Sequence, residues 1–111
     1  MTDFKVNSPD SNKAVELRYL SELHFGPMIC FATSIGFKLP QHIGEVLEFV
    51  NWSPNAQFLT LCEVTYDTKS DLHSFILWLI DTEQSVAKEC SRSGSPLRVK
   101  EITNAGDVIF S

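Results

Sequence analysis

Long apolar stretches are missing from this chain of 111 residues. The longest uninterrupted apolar run covers residues 75–80, whereas a helix that crosses a membrane needs about 20 apolar residues. Residues 1–7 also lack the apolar core of a signal peptide. We therefore expect a cytoplasmic protein that does not bind a membrane.

Cysteine is scarce as well. The chain has three cysteines, Cys30, Cys62 and Cys90, at wide spacings, whereas small secreted domains carry more cysteines in even numbers. Cys30 and Cys62 lie in apolar segments, where a reduced cysteine behaves as a small hydrophobic residue. This pattern predicts buried, reduced thiols at these two positions.

Motifs for cofactors, metals and catalysis are also lacking. Among His24, His42, His73 and the three cysteines, no two lie at a short spacing typical of metal ligands, and a zinc site needs several ligands that converge. The five glycines are scattered, so no phosphate-binding loop is evident. No Gly-x-Ser-x-Gly motif marks a nucleophile. The sequence favours a non-catalytic protein with no metal and no cofactor.

Positive charge is in the minority. Lys and Arg total 9 against 14 Asp and Glu, which gives a net charge of −5. An acidic surface repels the phosphates of nucleic acids and attracts basic proteins. We therefore expect a basic protein partner and no nucleic acid. The alternative is that the charge serves only solubility.

The remaining composition is that of a globular protein, with 43% hydrophobic and 21% charged residues. The length suits a single domain over residues 1–111, in which residues 1–10 form a short strand or a mobile N-terminal arm. The apolar patterning predicts an α+β fold. Two or three helices would pack on a mostly antiparallel sheet of four to five strands.

Helical signals occur in three segments. The first helix begins behind Asp10 or Ser11, which can accept bonds from its first turn, and ends near His24. The second begins at Pro40 and carries apolar residues at helical spacing, which are Ile43, Val46, Leu47 and Val50. The third covers residues 82–92, with Asp81 as its N-cap.

Strand formers dominate the other segments. Residues 57–66 carry apolar side chains on both faces, as in a central strand that is covered on both sides. Residues 97–103 and 108–110 are two further strands. Residues 28–39 and 72–80 are short apolar runs for which a strand is favoured and a buried helix is the alternative.

Carboxylates and an aromatic gather around the end of one predicted strand. Glu63 and Tyr66 lie in the strand, and Asp67 and Asp71 lie in the polar turn that follows. Together at the surface they would form a negative patch around an aromatic, which suits the docking of a basic partner. The alternatives are that Glu63 simply points outward from its strand and that the turn is a polar hairpin tip.

A second candidate surface involves the predicted second helix. Glu45 and Glu48 lie off its apolar stripe, and Trp52 lies at its end. A partly exposed Trp is a frequent anchor of protein interfaces. We therefore include these three residues among the candidates for partner binding.

The profile of a small, acidic, aromatic-bearing protein without catalytic motifs resembles that of toxin-neutralising immunity proteins. The resemblance implies an antitoxin-like inhibitor of a basic partner such as a nuclease toxin. One alternative is a ligand-binding or dimeric α+β domain, including a small enzyme, with a pocket between sheet and helices. Another is a structural subunit of a larger assembly, which would expose an apolar patch.

Overall fold

The computed structural model describes residues 3–23 and 26–111, and every regular element in them is a β-strand. The strands are β1 (Phe4–Asn7), β2 (Ala14–Glu22), β3 (Met28–Ile35), β4 (Val46–Trp52), β5 (Phe58–Asp67), β6 (Leu72–Asp81), β7 (Val86–Ser93), β8 (Val99–Ile102) and β9 (Val108–Phe110). The predicted α+β fold is therefore wrong, because no described residue is helical. Residues 3–23 and 26–111 accordingly contain no membrane-spanning helix.

The first seven strands form one antiparallel sheet in which the spatial order is the chain order, from β1 to β7. β8 and β9 form a separate two-stranded hairpin. Each of the seven strands therefore pairs with the strand next to it in the sequence. Such an order is possible because antiparallel strands need only short connections.

The sheet has two faces because successive side chains point to opposite sides. On the inner face, Phe4 and Val6 of β1 pack into the same core as Leu59 of β5 and Ile80 of β6. The sheet must therefore curl so that β1 lies over the middle strands. The Trp52 indole N–H closes this contact by donating to the Val6 carbonyl at 3.4 Å.

The outer face is covered over β4–β6 by the β8–β9 hairpin. Leu97, Val99 and Val108 of the hairpin segment pack on a core that includes Leu47 and Leu77. The tightly packed β5 therefore has apolar contacts on both faces. This arrangement explains the two-sided apolar pattern of its sequence.

The three segments predicted as helices form β2, β4 and β7. Each of these strands contains at least one residue more than the strand with which it pairs. In β2, Tyr19 pairs with Cys30 and Ser21 pairs with Ile29, so Leu20 is inserted between them. Such a bulge interrupts the two-residue alternation of a strand. The apolar residues of β2 then show spacings that match a helix.

The same irregularity occurs in β4 and β7. In β4, Val46 pairs with Glu63 and Val50 pairs with Leu61, so β4 contains two more residues than β5 between these pairs. Both valines pack in the inner core. In β7, Cys90 is the extra residue between two paired neighbours. Pro40, which was predicted to open a helix, lies in the loop before β4. His24, the predicted end of the first helix, lies outside the described residues.

The cap predicted at Asp81 forms its hydrogen bonds without a helix. Asp81 ends β6, and its Oδ1 accepts the backbone N–H groups of Glu83 at 3.0 Å and Gln84 at 3.3 Å. An Asp side chain offers the same bonds to a turn as to the first turn of a helix. The chain then enters β7 through Ser85, which has a φ of 56°.

The segments predicted as strands are confirmed. Residues 28–39 contain β3, residues 72–80 lie within β6, and β5, β8 and β9 lie where strand formers dominate. β5 and β6 pair over ten consecutive positions without a register shift. The regular alternation of side chains in β5 and β6 is the pattern by which the sequence indicated these two strands.

Candidate functional site

β5 and β6 extend together beyond the strands on either side. β5 pairs with β4 only as far as Glu63, and β6 pairs with β7 only as far as Phe75, whereas the β5–β6 ladder continues to its turn. We call residues 65–74 the arm. It is a two-stranded ribbon with no described strand beside it, so its backbone edges and both faces are open to a partner.

The arm exposes large side chains. Tyr66 is 49% exposed and Leu72 is 64% exposed. Tyr66 packs against His73 of the opposite strand with ring centroids 5.1 Å apart, and its hydroxyl donates to the Asp71 carboxylate. This bond raises the pKa of the Tyr66 hydroxyl. It also holds an aromatic ring and a carboxylate side by side at the surface.

The second carboxylate of the arm is fixed by its own turn. Asp67 accepts the backbone N–H of Lys69 and the hydroxyl of Ser70, each at 3.0 Å. These bonds lower the pKa of the Asp67 carboxyl group. Asp71 adopts a φ of 58°, a left-handed conformation that Asp tolerates better than most residues. The turn therefore presents two oriented carboxylates.

Glu63 does not join these residues at the surface. It is 9% exposed on the inner face, whereas Tyr66 lies on the outer face. Its Oε1 accepts the indole N–H of Trp78 at 3.0 Å, and its Oε2 accepts the backbone N–H of Gly44 at 2.7 Å. Within the described ranges, no Lys or Arg forms an ion pair with it. Glu63 is a buried acceptor that binds the loop before β4.

The loop of residues 36–45, which we call the strap, is the element that sequence reasoning missed. Phe37, Leu39 and Ile43 of the strap pack on the inner core, and the His42 ring lies edge-on to Trp78 with centroids 4.9 Å apart. The sequence signal for the strap was Glu63, a carboxylate within an apolar strand, because a buried acceptor needs hydrogen-bond donors nearby. The strap supplies one of them.

The other predicted candidates lie apart from one another. Glu45 is exposed, and its carbonyl accepts the Val64 N–H at 2.8 Å, which places it at the base of the arm. Glu48 is half-buried and accepts the backbone N–H of Met28 at 3.1 Å. Trp52 is half-buried and packs edge-on against Phe37. Only Glu45 adjoins the arm residues.

The prediction that Cys30 and Cys62 are buried is confirmed. Burial raises the pKa of both thiols, and a raised pKa disfavours the thiolate that nucleophilic chemistry needs. Cys90 is exposed, and none of the three is in a disulfide. The two buried cysteines therefore serve as core residues.

Sites for small ligands are lacking in the described part of the chain. No group of three His, Cys, Asp or Glu side chains there could hold a metal ion, and no pocket is present. His24, one of the metal candidates, lies outside those residues. A pocket between sheet and helices has no described helix to form it. The arm is the surface on which the predicted candidates Tyr66, Asp67 and Asp71 lie together.

Known proteins provide no further guide to this surface. The chain matches no protein-family model, and searches of curated proteins and of solved structures found no significant match.

Proposed function

We propose that this chain is a protein-binding protein that docks a basic partner through its arm. The observation that carries the proposal is the extension of β5 and β6 beyond their neighbours, with Tyr66 and Leu72 exposed on it. An isolated two-stranded ribbon buries too little surface to be stable alone. Contact with a partner would cover these side chains and the open edges.

The charges of the arm favour a basic partner. Asp67 and Asp71 flank the turn, Glu45 lies at the base, and the whole chain has a net charge of −5. Opposite charges speed the encounter of two proteins, and an aromatic at the centre of the contact supplies buried area. Because hydrogen bonds already hold Tyr66 with Asp71, little conformational freedom is lost on binding.

The finer proposal is an antitoxin-like inhibitor that masks a basic partner such as a nuclease toxin. An acidic ribbon inserted into a basic, nucleic-acid-binding cleft would compete with the phosphates that the cleft attracts. The three free cysteines support a reducing, cytoplasmic location for this encounter.

Affinity capture from a native lysate tests the proposal. The wild-type chain serves as bait beside the arm variant Asp67→Lys/Asp71→Lys and the control Glu83→Lys/Glu101→Lys. Both double variants change the net charge equally, and both control sites are exposed. We expect the wild type and the control to retain the same basic protein, identified by mass spectrometry, and the arm variant to lose it.

Association kinetics with the purified partner then locate the contact. The arm variant should associate more slowly at low salt, and its rate should depend less on ionic strength. Equal association rates for the wild type and the arm variant would show that the binding face lies elsewhere. Glu48 and Trp52 would then be the next residues to replace.

A further inference from the structure

Residues 31–35, the second part of β3, have a strand on only one side. β3 pairs with β4 at two positions, Ile29 and Cys30, whereas residues 31–35 pair with β2 alone. The strap does not replace β4 there. Its apolar side chains pack on the inner core, and no described backbone group outside β2 bonds to residues 31–35. We call the unpaired side of residues 31–35 the free edge.

The free edge lacks the features that protect strand edges from pairing with other strands. Such edges are usually blocked by charged residues, a proline, a bulge or a short length. The sequence of residues 31–35 is Phe-Ala-Thr-Ser-Ile, which contains no charge and no proline. These residues also pair with β2 without a register shift. A regular, uncharged edge that is rich in strand formers can pair with a further strand.

The two edge strands of the seven-stranded sheet are protected, by contrast. β7 has a bulge at Cys90 and carries three charged side chains. β1 is only four residues long and contains Lys5. The chain therefore blocks pairing at both ends of its sheet and leaves it unblocked at the free edge, which indicates that a strand covers the free edge.

Three side chains of residues 31–35 are exposed on one face of the sheet. Phe31 is 46% exposed and Ile35 is 41% exposed, and Thr33 between them is exposed as well. All three lie on the outer face, because Ala32 packs on the inner core and side chains alternate along a strand. A strand that pairs with the free edge would therefore place its own side chains beside Phe31 and Ile35.

We propose that the free edge pairs with the free edge of a second copy of the chain, so that one sheet continues through β3 of both copies. In an antiparallel pair with its two-fold axis at Thr33, that residue lies opposite the partner's Thr33, and Phe31 lies opposite the partner's Ile35. Aromatic–β-branched pairs and Thr–Thr pairs stabilise cross-strand contacts. Residues 31–35 thus complement themselves, as a two-fold interface requires.

Self-complementarity favours a second copy over a different protein. No charge in residues 31–35 selects an acidic or a basic partner, whereas the symmetric register covers both Phe31 and Ile35 in each copy. The contact is short, so the dimer should be weak and should form as the protein concentration rises. The arm takes no part in this contact, so the dimer and the proposed function can be tested separately.

Two complementary substitutions test the register by analytical ultracentrifugation. Phe31→Glu and Ile35→Lys each leave two mismatched contacts in a homodimer, so each variant alone should have its dimer affinity reduced by about tenfold or more. An equal mixture of the two should form a heterodimer, in which one contact is the original apolar pair and the other joins the introduced Glu to the introduced Lys. The control mixture of Phe31→Glu with Ile35→Glu should remain monomeric, because the two introduced carboxylates then face each other.

A cysteine at the two-fold axis provides a second readout. Thr33→Cys/Cys90→Ser removes the exposed native thiol and places a new thiol opposite its copy, within reach of a disulfide. Mild oxidation should link this variant into dimers and leave the control Thr68→Cys/Cys90→Ser, with its cysteine exposed in the arm turn, monomeric.

Circular dichroism shows whether each variant folds. A wild-type chain that is monomeric at all concentrations, a Phe31→Glu and Ile35→Lys mixture without heterodimer, or equal linking of both cysteine variants would overturn the inference. The edge variants keep the arm intact, so their binding of the captured basic partner reports separately on the proposed function.

Discussion

The root and the tip of the β5–β6 ribbon are made of the same two strands, and each pairs an aromatic donor with a carboxylate. At the root, which comprises residues 59–63 and 76–80, the Trp78 indole donates to Glu63 in the interior. At the tip, which is the arm, the Tyr66 hydroxyl donates to Asp71 at the surface. Burial decides the role of such a pair. The root pair stabilises the fold, whereas the tip pair is available to a partner.

Leucine truncation at the two ends of the ribbon should give the largest contrast. Leu61 is fully buried at the root, and Leu72 is exposed at the tip. Leu61→Ala removes buried methyl groups and leaves a cavity, so we expect a loss of about 2–5 kcal/mol in the free energy of unfolding. Leu72→Ala should change it by about 0.5 kcal/mol or less. Urea denaturation measures both, and equal losses would contradict the division into root and tip.

Replacement of the carboxylates should give a smaller contrast. In Glu63→Gln the amide offers one acceptor oxygen, and its NH₂ group faces an N–H donor, so the bond to Trp78 or to Gly44 is lost. A buried donor without an acceptor costs about 1–3 kcal/mol. The N–H group that loses its acceptor, which is either the Gly44 amide or the Trp78 indole, should also exchange faster with solvent. The matched variant Asp67→Asn should lower the denaturation midpoint by less, because Asp67 is exposed, and should leave the Gly44 exchange rate as it is in the wild type.

The smallest effect concerns the ionisation of Asp67. The N–H of Lys69 and the Ser70 hydroxyl hold the pKa of this carboxyl below its ordinary value of 3.8. The fold therefore favours the ionised form. The resulting stabilisation is present above about pH 3.8 and is lost as the pH falls through the lower pKa of the folded state.

Ser70→Ala removes one of these bonds and should move the Asp67 pKa back toward 3.8. An NMR titration of the side-chain carboxyl carbons resolves this change. A wild-type midpoint at or above 3.8 would show that the turn does not hold the carboxylate. The Asp67 carboxylate would then be free to reorient in the unbound arm.

The long regular strands were the easiest to read from the sequence, and three irregular strands were misread as helices. β5 and β6 keep one register over their whole length, so their strand formers and their polar turn were visible. β2, β4 and β7 each contain extra residues. A bulge breaks the two-residue alternation on which strand recognition depends, and the apolar spacing that remains is helical.

The candidate site, like the fold, could be predicted from the sequence only in part. The turn residues Asp67 and Asp71 are exposed, as the polar sequence between two strands indicates. The position of Glu63 could not be read in this way, because β5 is covered on both faces and alternation then does not distinguish inside from outside. Its hydrogen-bond donors, Gly44 and Trp78, are distant in the sequence and give no local signal.

The agreement between strand order and chain order bears on how this chain folds. Each ladder of the seven-stranded sheet joins two strands that are adjacent in the sequence, so most of the sheet can be built by closing short loops one after another. Pairing between sequence neighbours keeps the loop-closure cost of each ladder small. One long-range step is the closure of β1 over β4, where Trp52 meets Val6. The docking of the β8–β9 hairpin is a second long-range step, in which Asn51 donates to the Val99 carbonyl, and the arm takes no part in either step.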